Sequence, residues 1–311
     1  MTHEFISIFT KHSRRAFLSA AGVAAVAGSV GNVMGAAYQG LDKIKFGYAA
    51  MTWGKEERQA ADDIASAGYK GVQFRIDATT EFRPSELKEL LREKKLTFVA
   101  LSSGEVLIDP AVEAEQIRKH VANAQFVRDS GGLYLQVLDQ LKPYPRKVTA
   151  EECVRLGKLL TEIGRRTAEL GVPLAYHNHM NTISEHPGNL EIVLENADPK
   201  YVKLLLDTAH SAAGGGDPAQ AIERYHDRII FLHLKDEVSI PMTEKEKYPF
   251  RWVELGQGQV NLPAVFAALA KIHFSGWAVV ELDRVPDNSK TPRQCAMISR
   301  KYLEDKIGVV F

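Results

Sequence analysis

Residues 202–210 read V-K-L-L-L-D-T-A-H, a short apolar, β-rich run that stops on Asp207, with His210 three positions further on. The same construction recurs along the chain. Residues 174–179 read L-A-Y-H-N-H, 229–235 read I-I-F-L-H-L-K and 277–283 read W-A-V-V-E-L-D, each an apolar stretch that ends in ionisable groups. Quieter apolar runs at 44–49, 71–75, 97–102 and 133–137 come before them, so the chain offers eight candidate strands, the last at 277–282. Stretches of helical periodicity alternate with these runs, at 56–67, 84–94, 112–128, 149–170, 189–196, 218–225, 262–272 and 292–305. Within 149–170, Leu156, Leu159, Leu160, Ile163, Thr167 and Leu170 recur at three- and four-residue spacing. Thr149 followed by Glu152 is a capping-box pattern, and Gly171 is a favoured stop. Eight strands alternating with eight helices predict an α/β fold, a (β/α)8 TIM barrel formed by a single domain over 41–311. A doubly wound open sheet competes with it. The glycine fingerprint that often cradles phosphate in such sheets is missing after the first strand, and the run Gly214-Gly215-Gly216 follows the sixth strand without a P-loop lysine.

The composition suits one large soluble domain: 311 residues, 45% hydrophobic and 25% charged. Lys plus Arg and Asp plus Glu both number 39. That balance supplies no field to draw the protein to nucleic acid or to an anionic membrane, and favours a small-molecule partner. Cys153 and Cys295 lie in separate expected helices and read as two independently buried thiols, not as a disulfide framework.

The amino terminus is built differently. Residues 11–18 read K-H-S-R-R-A-F-L, an Ala- and Gly-rich apolar run follows to about Ala37, and the small residues Gly35, Ala36 and Ala37 close it. This layout predicts a cleaved signal peptide over 1–37, and Arg14-Arg15 followed by Phe17-Leu18 resembles the twin-arginine signal of folded, exported proteins. The expectation is therefore a periplasmic or secreted protein with no stable membrane association after cleavage. A retained anchor is the alternative, disfavoured because Gly and Ala make the run only weakly hydrophobic.

In a TIM barrel the chemistry collects where strands end, on the carboxyl-terminal face. The ends of the last four expected strands carry His177 and His179, Asp207 and His210, His233 and Lys235, and Glu281 and Asp283. Strand alternation puts His177 and His179 on one side, and likewise His233 and Lys235. Imidazole and carboxylate donors together suit one divalent metal ion, with Mn²⁺, Zn²⁺ or Co²⁺ favoured over Mg²⁺. Each group also has an ordinary structural reading. Asp207 could cap a helix that starts at Thr208, His210 could be a buried histidine bonded to backbone, and Lys235 with Asp236 could be a surface ion pair. His186 reads as a loop residue and His273 as a packing residue at a helix-to-strand turn. For the substrate, Trp53 could stack on a sugar face, and Gln73, Glu105 and Gln136 fall near the mouths of the second to fourth strands. Residues 248–252 with Glu254 could form a lid in the long segment after the seventh strand.

Taken together, Y-H-N-H at 176–179, L-L-L-D-T-A-H at 204–210, F-L-H-L-K-D at 231–236, L-G-Q-G-Q-V at 255–260 and G-W-A-V-V-E-L-D at 276–283 resemble one family. It is the sugar phosphate isomerase/epimerase group of the xylose-isomerase-like barrels, which includes inosose dehydratases and ketose 3-epimerases. The resemblance spans roughly 43–305. It implies a metal held by a Glu, an Asp, a His and a second Glu from the last four strands, and the matching positions are His177, Asp207, His233 and Glu281. His177 departs from that pattern, with His179 as an alternative ligand. The departure removes one of the two carboxylates that an epimerase uses to move protons, and leaves His179 as a candidate base. The chemistry implied is metal-assisted removal of a proton next to a carbonyl, by His179 or Glu281, to give an enediolate whose charge His210 or Lys235 steadies. The leading expectation is an isomerase or epimerase of a small carbohydrate or keto-sugar, with Trp53, Gln136, His210 and Glu254 as substrate-binding candidates. The rival is a dehydratase or lyase acting on a keto-inositol or 3-keto-glycoside. A non-catalytic secreted sugar-binding barrel is the reading from another class. An endonuclease activity, also known on this fold, is disfavoured by the export signal and the zero net charge. The sequence leaves room for a homo-oligomer.

Overall fold

The computed structural model describes residues 40–142, 146–241 and 248–311; the expected signal segment at 1–37 lies outside them. The strands are β1 (Ile44–Ala49), β2 (Gly71–Arg75), β3 (Thr97–Val106), β4 (Tyr134–Asp139), β5 (Leu174–His177), β6 (Val202–Asp207), β7 (Ile229–Leu234), β8 (Asp236–Ser239), β9 (Phe250–Val253) and β10 (Gly276–Val280). Strands β1 to β7 pair in sequence order, β7 pairs with β10 and β10 returns to β1, all parallel, so the sheet closes on itself. Closure removes the open doubly wound sheet as an alternative and leaves the (β/α)8 barrel.

Helices follow the barrel strands because each stretch between them has one apolar face to bury. The longest, Ala150–Glu169, starts on the expected capping box: Thr149 Oγ1 accepts from the Glu152 amide at 3.3 Å, and Glu152 Oε2 accepts from the Thr149 amide at 2.9 Å. It ends before Gly171, whose φ of 75° is the left-handed conformation that glycine adopts without penalty. Its buried stripe, Leu156, Leu159, Leu160, Ile163 and Thr167, packs on the barrel. Inside the ring, Ala49, Val99, Ala100, Ala175, Leu205, Phe231, Trp277 and Val279 form a separate cluster drawn from six strands, the packed filling expected of a barrel. Gly71 makes that filling fit, since a Cβ there would lie 2.5 Å from the Trp277 ring and 2.6 Å from Val99. Cys153 and Cys295 are free and buried, as read from sequence. Among the described residues no helix is long and apolar enough to cross a membrane.

Three departures from the expected elements bear on the site. Strand β5 ends at His177 instead of residue 179, because Asn178 turns its side chain onto β6, where its Oδ1 accepts from the Asp207 amide at 2.9 Å. His179 therefore leaves the sheet, and strand alternation does not govern where it points. Strand β3 runs on to Val106, with its register to β4 shifted between Ser102 and Glu105 around Gly104, whose φ is 84°. The segment after β7 folds as an antiparallel hairpin, with Asp236 opposite Val253 and Ser239 opposite Phe250.

Candidate metal centre

The carboxyl ends of β5, β6, β7 and β10 bring the expected residues to one place. Asp207 closes β6, and its two oxygens have different duties. Oδ1 accepts from the His210 amide at 2.8 Å and caps the short helix Thr208–Ala213, while Oδ2 is buried and makes no hydrogen bond. The cap thus occupies one oxygen of the side chain and leaves the other without a hydrogen bond. Thr208 fixes the neighbouring strand end, its hydroxyl donating to the Lys235 carbonyl at 2.7 Å and accepting from the Lys235 amide at 2.9 Å.

His233, from β7, is oriented across the barrel bore. Its Nε2 lies 2.8 Å from Gln73 Oε1 on β2, and Gln73 in turn donates through Nε2 to Ser102 Oγ at 2.9 Å. A carbonyl oxygen can only accept, so Nε2 carries the proton and Nδ1 presents a lone pair. That lone pair faces Asp207 Oδ2 at 3.6 Å and Glu281 Oε2 at 3.2 Å, all of them buried. Three electron-rich atoms at such distances in a low-dielectric interior repel unless a cation lies among them. His177 adds a fourth donor: its Nδ1 is buried without a hydrogen bond, and its ring centroid is 4.8 Å from that of His233. Burial first, then the neighbouring His233 and His179, push the His177 pKa well below the ordinary histidine value, so it offers a neutral imidazole.

His177, Asp207, His210 and Glu281 each place one donor atom within 4.8 Å of the others. Of these, His210 is the least suited to a ligand role, because a neutral imidazole accepts at only one nitrogen and that lone pair already has a protein partner: Nδ1 lies 3.3 Å from the Met180 amide and Nε2 3.2 Å from Lys235 Nζ. Asp207, Glu281 and Asp283 meet one buried ammonium, that of Lys235, so carboxylates outnumber the fixed positive charge at the centre. Unsatisfied donors, their mixed nitrogen and oxygen chemistry and this charge all fit a divalent cation held by His177, Asp207, His233 and Glu281.

Lys235 lies fully buried beside this set. It donates to Glu281 Oε1 at 2.8 Å and to Asp283, and its Nζ sits 4.6 Å from the centre of the Trp252 ring. Burial opposes its charge, but Asp283, Glu281 and Asp207 outweigh burial and hold its pKa above the ordinary lysine value. Burial likewise opposes ionisation of Glu281, and positive charge beside it, the Lys235 ammonium at 2.8 Å included, overcomes burial, so the carboxyl lies well below the usual range. The expected surface ion pair between Lys235 and Asp236 is therefore not formed. Asp236 is buried and accepts from the amides of Glu237, Gly256, Gly258 and Val260 at 2.9 to 3.0 Å, which folds the L-G-Q-G-Q-V segment onto the hairpin.

His179 is half-buried, and its Nδ1 lies 2.7 Å from the Met180 carbonyl. The carbonyl fixes the proton on Nδ1 and leaves Nε2 with the lone pair, while the ring lies 3.8 Å from that of His210. Asp139, at the end of β4, holds the loop that carries His179 by accepting from the amide and hydroxyl of Ser184 at 2.8 and 3.1 Å; burial raises its pKa to about 6.

Several expected substrate contacts have other partners. The Trp53 indole donates to Asp63 Oδ2 at 2.8 Å and packs edge-on against Tyr48. Glu254 is buried in an ion pair with Lys290, 2.7 Å away in the segment that leads into the last helix. Gln136 is buried on β4 in register with Ser102, the residue that accepts from Gln73. Glu105 is half-buried and its carbonyl accepts from Lys119 at 2.7 Å. His186 bonds the Gly214 carbonyl within its loop, at 3.1 Å. His273 sits at the expected turn with a φ of 52°. Sequence reasoning missed the bond from Gln73 to His233 and the place of Trp252 against His210 and Lys235, since both join strands that are not neighbours in the chain.

The model of the xylose isomerase-like TIM barrel family matches residues 61–301. The chain belongs to that family. Among curated relatives of this barrel, inosose dehydratase of Clostridium tetani is 25% identical, with 86% of this chain and 99% of the relative covered. Inosose dehydratase of Mesomycoplasma hyopneumoniae is 27% identical over 86% of this chain and 98% of the relative. Among solved structures, the IOLI protein with a bound zinc atom superposes with a TM-score of 0.71 at 20% identity, covering 86% of this chain and 99% of that one. An L-ribulose 3-epimerase superposes with a TM-score of 0.69 at 17% identity, over 85% and 95% of the two chains. The inosose dehydratases and the epimerase are enzymes, and this family member is an enzyme.

Proposed function

We propose that this barrel enzyme removes a proton next to the carbonyl of a small keto-carbohydrate, with one divalent cation at His177, Asp207, His233 and Glu281, and completes the reaction by elimination. A divalent cation bound there would polarise the substrate carbonyl and make the neighbouring C–H more acidic. The chain's own groups supply the rest. His179, with its Nδ1 proton held by the Met180 carbonyl, accepts the proton at Nε2. Lys235, kept as an ammonium by Asp283 and Glu281, lies where it can offset negative charge that develops on the substrate oxygen. The proton on His179 then leaves with a hydroxyl β to the carbonyl, so that one C–H and one C–O bond break, a C=C bond forms and water departs.

The observation that carries the choice of elimination is the asymmetry of the site. Epimerisation needs proton donors and acceptors on both faces of the reacting carbon, and the position where the family has its first carboxylate is His177, whose free nitrogen faces the other ligands. The isomerase or epimerase expectation therefore ranks second. The inosose dehydratase relatives support a keto-inositol as the first substrate to try. Two measurements test the reading. Metal analysis of wild type and Glu281→Gln should find about one divalent ion per chain, lost in the variant. NMR of keto-inositol turnover in heavy water should show an enone. Deuterium entering an unchanged skeleton would favour isomerisation, and full turnover by metal-free protein would sink the proposal.

A further inference from the structure

The hairpin after β7 carries a row of aromatic rings that starts at the centre and ends in solvent. Trp252 packs edge-on to His210 at 4.7 Å between ring centres and lies under Lys235 Nζ. Phe250 contacts Trp252 at 4.6 Å, and Tyr248 stacks on Phe250 at 5.6 Å with only 18° between the ring planes. Positions 250 and 252 share a face of β9 by strand alternation, and Tyr248 prolongs the row to a side chain that is 45% exposed. Three residues at two-residue spacing cover about 13 Å at a rise of roughly 3.3 Å per residue.

The rest of the mouth repeats the theme. Six large hydrophobic side chains are exposed among the described residues. Three of them, Ile76, Leu107 and Leu141, come one or two positions after the ends of β2, β3 and β4, and Tyr248 is a fourth. Exposed apolar groups concentrated around one opening are costly to solubility and point to a ligand that covers them. A free monosaccharide or inositol, polar on every edge, would be held at the cation by its oxygens and would leave this row uncovered.

We propose that the row Trp252, Phe250 and Tyr248 is a second subsite, which binds an apolar aglycone of a sugar whose carbohydrate ring lies at the metal centre. This rests on the chemistry of the centre given above, leaves the keto-inositol as a minimal substrate that fills the centre alone, and names the full substrate class as a glycoside whose aryl aglycone stacks on the aromatic rings. Subsite and centre meet at Trp252, which touches His210 and Lys235.

The test uses the metal-loaded enzyme and two unreactive probes, methyl and phenyl β-D-glucopyranoside, with affinities measured by calorimetry. Phenyl glucoside should bind roughly tenfold more tightly than methyl glucoside, the effect expected of one or two aromatic stacks. Tyr248→Ala and Phe250→Ala should erase most of that advantage and leave the methyl glucoside affinity within about twofold. Tyr248→Phe should keep it, which separates ring stacking from loss of folding. Equal binding of the two probes, failure of both to bind, or an advantage that survives the alanine substitutions would overturn the subsite. Loss of metal stoichiometry in the wild type would instead refute the reading of the centre.

Discussion

At the scale of single residues, the geometry of His233 decides what the centre can hold, and Gln73 decides the geometry of His233. The glutamine carbonyl, 2.8 Å from Nε2, fixes the tautomer that turns a lone pair toward Asp207 and Glu281. Partners of this kind typically change metal affinity 10- to 100-fold when removed. Gln73→Leu, close in volume but unable to accept, should therefore weaken divalent-metal binding by about that factor in chelator competition, and should also lose about 1–3 kcal/mol of stability for the buried His233 N–H left unpaired. Gln73→Glu, which still accepts, should retain most of the affinity; if both variants bind metal like the wild type, the tautomer argument is wrong. The four candidate positions that the fold brings together were legible in the sequence because each closes an apolar run. Gln73 was legible only as a polar residue near a strand mouth, since nothing in the spacing of β2 and β7 shows that they face each other across the ring.

At the scale of elements, the strands and helices were largely legible because hydrophobic periodicity records which faces are buried, and in this barrel every strand is covered. The hairpin of β8 and β9 was not, because the buried Asp236 carboxylate that fastens the following segment to it leaves no mark in an apolar pattern. Asp236 gathers four amides, three of them from Gly256, Gly258 and Val260, which a one-dimensional reading takes for an adjacent charge in K-D-E. Gly258 permits this, since a Cβ there would meet Asp236 Oδ1 and the Glu237 carbonyl, each at 2.3 Å. Asp236→Ala leaves these amides without their acceptor, and because those of Gly256, Gly258 and Val260 are only partly buried and can turn to water, the variant should lose in total about 1–3 kcal/mol in denaturant unfolding. Amide hydrogen exchange should quicken first in 254–260, and uniform exchange across the barrel would count against the assignment. The short end of β5 has a similar origin. Asn178 exchanges strand pairing for a side-chain bond to β6, and that choice is invisible in L-A-Y-H-N-H.

At the scale of the whole molecule, closure of the sheet explains why residues about a hundred positions apart meet at one centre, and it also creates buried ionisable groups away from the centre that no motif announces. Glu57 is the clearest of them. It begins the helix Glu57–Ser66 against β2, is fully buried, and accepts only weakly from the Arg75 amide at 3.4 Å. Burial raises its pKa to about 8, above the ordinary carboxylate value. A folded-state pKa above the unfolded one means that the native state binds the proton more tightly, so the contribution to stability is complete below about pH 4.5 and is lost as pH rises through 8. The slope over that window is at most about 1.4 kcal/mol per pH unit. Glu57→Gln keeps the shape and removes the titration. Its stability in urea should match the wild type within about 1 kcal/mol near pH 4, then exceed it by a margin that widens from pH 5 to 8 and levels off above. Parallel curves for the two proteins across that range would show that Glu57 ionises without cost where it stands, and that the barrel wall at this helix admits water.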